Sequence, residues 1–130
     1  MSELGLYWQW RLERAVWALS LEAQAQEALY PSYVCVVDEL VLELDECIEG
    51  SIAAGVSLDP KVKDALSELD QHVERMSGVH NLHLWNSEAL RGAAEWRVVR
   101  ELARAVRETA SWTRGFSGSG AAIFVGEPEP

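Results

Sequence analysis

Carboxylates that share one side of a predicted helix are the first candidates for chemistry in this chain. Glu39, Glu43 and Glu46 are separated by four and three residues, so a helix would place them on the same side. Helical bundles hold divalent metal ions with carboxylates in this arrangement. The di-iron pattern also requires Glu-x-x-His on paired helices, and no such tetrapeptide occurs in the sequence.

A second acidic pattern overlaps the first. The run Glu43-Leu44-Asp45-Glu46 contains Glu-x-x-Glu, and Glu68 and Asp70 follow on the next predicted helix. This loosely resembles the all-α nucleotide pyrophosphohydrolases, although Glu68 and Asp70 have the wrong spacing for the second acidic pair of that family. The resemblance implies a metal-dependent hydrolase as an alternative function. Because the acids lie opposite the apolar stripe of their helix, the sequence predicts no metal site and no cofactor.

Histidine and cysteine supply weaker candidates. His72, His80 and His83 could ligate zinc, but their spacing is generic and no cysteine accompanies them. Cys35 is expected near a helix N-terminus, where the helix dipole lowers a thiol pKa, and Cys47 is expected to fill the core. Nucleophile elbows, phosphate loops and dinucleotide fingerprints are missing from the sequence. We therefore predict that the chain is not an enzyme.

The second predicted helix carries an outward acidic arc. The segment 31–55 has a net charge of −6 without a single base. Like charges at helical spacing destabilise a helix slightly, so this arc is interpreted either as a surface that steers a basic partner or as a solvated face. The arc consists of Asp38, Glu39, Glu43, Asp45, Glu46 and Glu49.

The first predicted helix is apolar on two opposite sides, although a bundle helix needs only one. The second side contains Leu6, Trp10, Trp17 and Leu21. This side is predicted to be an interface, either with another protein or in a homodimer. The alternative is internal covering by residues 123–125 or by the loop 80–85.

The last predicted helix has an apolar stripe and a basic arc. The residues that follow helical spacing and are expected to face the core are Ala94, Val98, Leu102, Ala105, Val106 and Trp112. A net charge of −10 for the whole chain argues against binding to nucleic acid. The basic arc is expected to face outward and consists of Arg97, Arg100, Arg104 and Arg107.

Length and composition indicate a single globular domain. The chain has 130 residues, of which 48% are hydrophobic and 25% are charged. An apolar run of 18 residues is missing, as is a signal-peptide pattern, so no membrane contact is expected. Two cysteines are too few for a disulfide scaffold, and a cytoplasmic location is predicted.

Helix-breaking residues divide the chain into four helices over about 2–29, 31–54, 60–77 and 87–114, within a domain 1–114. Their short connections predict an all-α, antiparallel up-down four-helix bundle. Residues 115–130 are predicted to form a flexible Gly/Ser-rich tail with a short apolar patch.

The predicted function follows from this profile. A small, acidic domain without a catalytic motif is typical of an inhibitor, immunity or adaptor protein that binds a basic protein surface through charge. The alternatives are the metal-dependent hydrolase described above and a structural homodimer.

Overall fold

The fold is all-α, as predicted. The computed structural model describes residues 2–116, and within this range the chain forms helices and no β-strand. The predicted tail beyond Phe116, including its apolar patch, lies outside the described residues. The helices are α1 (Glu3–Ser20), α2 (Ala23–Ala28), α3 (Val36–Ala53), α4 (Pro60–Arg75), a 3₁₀ helix (Val79–Leu84), α5 (Ser87–Gly92) and α6 (Ala94–Ala110).

The predicted first helix is interrupted near its end. Leu21 and Glu22 adopt extended backbone conformations between α1 and α2. The carbonyl groups at the end of α1 are bound by side chains from elsewhere in the chain: the Nε2 of Gln26 donates to two of them at 3.1 Å each, and the Nε of Arg104 donates to that of Ser20 at 3.0 Å. These donors satisfy the helix end, so the chain turns without proline or glycine.

The predicted last helix is interrupted as well. Ala93 is extended and separates α5 from α6. The buried guanidinium of Arg100 donates from Nη1 to the Leu90 carbonyl at 3.0 Å and ties the two helices together. Helix α6 ends at Ala110, where Ser111 adopts a left-handed conformation, earlier than the predicted end at residue 114.

The loop before α5 is a 3₁₀ helix fixed by two tryptophans. The indole of Trp96, which is fully buried, donates to the Leu84 carbonyl at 2.7 Å. The indole of Trp85 donates to the Met76 carbonyl at 2.8 Å, and the two rings pack edge to face. These contacts connect the 3₁₀ helix to the ends of α4 and α6.

Helix α4 starts where the sequence indicates, with Pro60 as its first residue and Asp59 as its N-cap. Helix α3 begins at Val36 rather than near Pro31. A hydrogen bond of 3.1 Å from the amide of Val34 to the carbonyl of Pro31 closes a turn between α2 and α3. The residues after the proline therefore connect two helices instead of opening one.

Helix α1 lies in the middle of the fold. It packs against α3 on one side and α6 on the other, and α4 packs against α6. Among the described residues, α3 and α4 are not packed side by side, and a cleft lies between them. The up-down order of four antiparallel helices stays a prediction.

The core face of α6 differs from the predicted stripe. Ala94 is exposed, and Val98 and Leu102 are only half-buried. The fully buried residues are Trp96, Val99, Ala103 and Val106. The ring of Trp96 and its hydrogen bond to the 3₁₀ helix lie inside the fold. The side of α6 that carries Trp96 therefore faces the core in place of the predicted side. Over residues 2–116, each helix is too short or too polar to cross a membrane.

Candidate functional site

Two buried arginines of α1 neutralise part of the acidic side of α3. Arg11 donates from Nη2 to both carboxylate oxygens of Glu43 at 2.8 Å. Arg14 donates from Nη2 to the Oε1 of Glu43 at 3.3 Å. The two arginines are 8% and 3% exposed, so this is an ion-pair cluster inside the fold.

The cluster corrects one feature of the predicted acidic arc. Glu43 does not point outward with the other acids, since its side chain is only 16% exposed and two cations hold it. Arg11 also contacts Glu46 at 3.3 Å and lies over the rings of Tyr7 and Trp8. Burial lowers the pKa of Arg11, but the hydrogen bond and charge of Glu43 raise it overall. Glu43 therefore links α3 to α1.

The other acids of the arc keep the exposure that was expected. Asp38, Asp45, Glu46 and Glu49 are exposed, and Glu39 is half-buried. The Glu39–Glu43–Glu46 side is therefore divided between an internal ion pair and the surface. Among residues 2–116, no group of three or more His, Cys, Asp or Glu side chains is arranged so that it could hold a metal ion.

Acids of α3 and α4 face each other across the cleft. Partial burial raises the pKa of Asp45, and the charges that act on it, those of Asp70, Glu49 and Glu74, raise it further. Burial and the charge of Glu74 raise the pKa of Asp70 in the same direction. We call Asp45, Glu49, Asp70 and Glu74 the acidic rim. From the sequence, Asp70 was considered only together with Glu68, and Glu74 was missed, because only the packing shows which acids of α4 face α3.

The cleft itself is mainly apolar. Its volume is about 360 Å³. Buried Leu12 and Leu66 form part of its lining. Ile52 also lines the cleft and is 75% exposed. The complete lining is Leu12, Ile48, Ser51, Ile52, Val56, Leu58, Lys63, Leu66, Ser67 and Asp70.

The second apolar side of α1 is largely covered within the chain. The ring of Phe116 lies 5.6 Å from that of Trp10 and 5.4 Å from that of Trp17, centroid to centroid. Trp17 is 9% exposed, whereas Leu6 is 58% exposed and Leu21 is half-buried. Of the two segments expected to cover this side, residues 80–85 belong to the 3₁₀ helix and residues 123–125 lie outside the described range. The contact with Phe116 was not anticipated.

The basic arc of α6 does not form one outward surface. Arg100 is only 6% exposed and is bound to the Leu90 carbonyl. Arg104 bridges to Glu22 at 2.7 Å, and Arg107 donates to the Ser20 hydroxyl at 3.3 Å. Two of these four arginines, Arg104 and Arg107, therefore hold the end of α1, and Arg100 joins α5 to α6.

The histidines and cysteines occupy separate places. The ring of His72 is hydrogen-bonded to the Glu95 carbonyl at 3.0 Å, while His80 and His83 are exposed on the 3₁₀ helix. Cys47 is buried beside Glu43. The pKa of Cys35 is raised instead of lowered: partial burial and the side chain of Asp38 raise it by more than the backbone amide of Asp38, at the start of α3, lowers it.

The acidic rim is expected to make stability depend on pH. The folded-state pKa of Asp45 lies above its ordinary value of 3.8. Protonated Asp45 therefore stabilises the fold fully below pH 3.8, and this stabilisation is lost as the pH rises through the folded-state pKa. Asp45→Asn should therefore raise the free energy of unfolding by roughly 0.5 kcal/mol at pH 7 and leave it nearly unchanged at pH 3. Urea unfolding at the two pH values measures this difference. An equal effect at both pH values would show that the ionisation of Asp45, which burial and the neighbouring acids disfavour, does not destabilise the fold.

No family model, curated protein or solved structure matches this chain.

Proposed function

We propose that this chain is a protein-binding module that holds a basic partner on the side formed by α3 and α4. The observation that carries the proposal is the acidic rim. Asp45 and Asp70 come from different helices, and the charges that act on each of them are acidic. Such an arrangement weakens the isolated fold slightly and becomes favourable when a cation approaches.

The location of the rim supports the same function. Asp70 of the rim lines the cleft between α3 and α4, where the apolar Ile52 is exposed. An apolar centre with charged residues beside it is the usual composition of a protein interface. In this proposal α1, α3, α4 and α6 form an up-down bundle that is open on one side, and the module acts as an inhibitor, immunity or adaptor protein.

Capture of the partner with charge variants tests the proposal. The tagged protein is used to capture partners from its native lysate at low and moderate salt. The rim variant is Asp45→Asn with Asp70→Asn. The control, Glu101→Gln with Glu108→Gln, removes the same number of charges from exposed positions of α6. The expected result is a stoichiometric basic protein whose retention falls with salt and falls about tenfold in the rim variant alone.

Two results would contradict the function. Equal retention by both variants would show that the α3–α4 side is not the binding surface. Recovery of the tagged protein without a stoichiometric partner would favour a structural homodimer.

A further inference from the structure

The apolar cleft contains a side chain that a partner could bury. Ile52 is 75% exposed, although it lies beside half-buried Ile48 and Leu58. Leu12 and Leu66 are already buried beneath them. A ligand in the cleft would therefore remove Ile52 from water without a rearrangement of the core.

The secondary structure around the cleft restricts the form of the ligand. The residues that line it belong to helices α1, α3 and α4 and to the segment between α3 and α4. Helices bond their backbone groups internally, so the cleft offers no strand edge for a β-strand to pair with. A peptide that satisfies its own backbone groups, as an α-helix does, is therefore well suited to this cleft.

Charge restricts the ligand further. Asp70 lines the cleft, and Asp45, Glu49 and Glu74 act together with it. A helix with lysine or arginine along one edge would place cations beside these acids. Lys63 also lines the cleft, so the opposite edge of the incoming helix should be neutral or acidic.

The chain's own segments do not have this chemistry. After Arg114 the sequence has no lysine or arginine and includes Glu127 and Glu129, so the acidic rim would repel its C-terminal end. Arg100, Arg104 and Arg107 of α6 are hydrogen-bonded within the fold. Neither of these segments supplies a free basic helix, whereas a basic helix of another protein would match the charge of the cleft.

We infer that the cleft between α3 and α4 binds an amphipathic helix of another protein, with its apolar side on Ile52 and a basic edge along Asp45, Asp70 and Glu74. This inference rests on the proposed function and specifies the partner as a basic amphipathic helix.

A model peptide tests the inference directly on the full chain. The probe is a fluorescent peptide of about 18 residues with leucines at helical spacing, lysines along one edge of the leucine side and glutamines at the other positions. Its control has the same composition in a shuffled order that forms no apolar side. We expect the amphipathic peptide to bind about tenfold more tightly than the shuffled one, measured by fluorescence anisotropy.

Two matched variants locate the binding site. Ile52→Ser removes the exposed apolar side chain of the cleft, and Leu42→Ser removes one from α3 that is 58% exposed but does not line the cleft. Ile52→Ser should weaken binding about fivefold or more, because the transfer of an isoleucine from water is lost, whereas Leu42→Ser should have little effect. Both side chains are exposed, so both variants are expected to fold.

The inference fails if the shuffled peptide binds equally well or if both variants weaken binding to the same extent. The proposed function can survive either result. Capture of a basic partner that depends on Asp45 and Asp70 but not on Ile52 would keep the acidic surface and remove the helix-binding cleft. Loss of the dependence on Asp45 and Asp70 would overturn the proposed function instead.

Discussion

Replacing Glu43 by glutamine is expected to lower the free energy of unfolding by about 3 to 5 kcal/mol. The substitution preserves the shape of the side chain but leaves Arg11 and Arg14, which are 8% and 3% exposed, without their shared buried counter-charge. The two hydrogen bonds of 2.8 Å from Arg11 and the one of 3.3 Å from Arg14 then no longer end on a charged carboxylate, so they offset less of the desolvation of these guanidinium groups. Urea unfolding monitored by far-ultraviolet circular dichroism measures the change.

The adjacent Glu46 provides the control. It contacts the same arginine at 3.3 Å, but its side chain is 59% exposed. Glu46→Gln should therefore cost less than about 1 kcal/mol, as solvent-exposed ion pairs do. If the two variants lost similar amounts of stability, the Glu43 pair would be a surface interaction and not a structural one.

Gly50→Ala is expected to destabilise the fold by about 2 kcal/mol, although alanine normally stabilises a helix relative to glycine. Gly50 lies in α3 directly against the indole of Trp8. A Cβ atom at this position would come within 2.3 Å of the Trp8 ring. The ring would have to move, which would disturb its contact with Arg11 and the packing of α1 on α3.

Gly92→Ala is the matched control for Gly50→Ala. Gly92 also lies in a helix, but no atom lies within 4 Å of a Cβ built there. This substitution should stabilise the fold by about 0.5 to 1 kcal/mol. Thermal unfolding of both variants measures the difference in sign. A stabilising effect at both positions would show that Trp8 adapts freely, and that the close approach at Gly50 does not constrain the fold.

Local patterns in the sequence were sufficient for the fold class and for some helix ends. Asp59 and Pro60 specify the start of α4 through a cap and a fixed φ angle, both of which act within a few residues. The ends of α1 and α5 could not be located in this way. Their carbonyls are bound by Gln26, Arg104 and Arg100, two of which come from a distant helix. The glycine at position 92 was the one local indication of the second break.

The candidate site was harder to predict because it depends on which helices meet. The pairing of Glu43 with Arg11 joins residues 32 positions apart, and helical spacing alone places Glu43 with the exposed acids. Asp70 likewise becomes significant only through its position opposite Asp45. The spacing of the acids in α3 did identify Asp45 and Glu49 as surface residues, because exposure along a single helix is a local property.

The central position of α1 has a consequence for motion. Helix α1 is enclosed by α3 and α6, whereas α4 packs along α6 and leaves its side toward α3 open. We therefore expect the amide hydrogens in the buried second half of α1, residues 11–20, to exchange more slowly than those of α4, which packs mainly against α6 alone. A partner helix bound between α3 and α4 would contact α4 on a second side. Its binding should therefore slow amide exchange along α4.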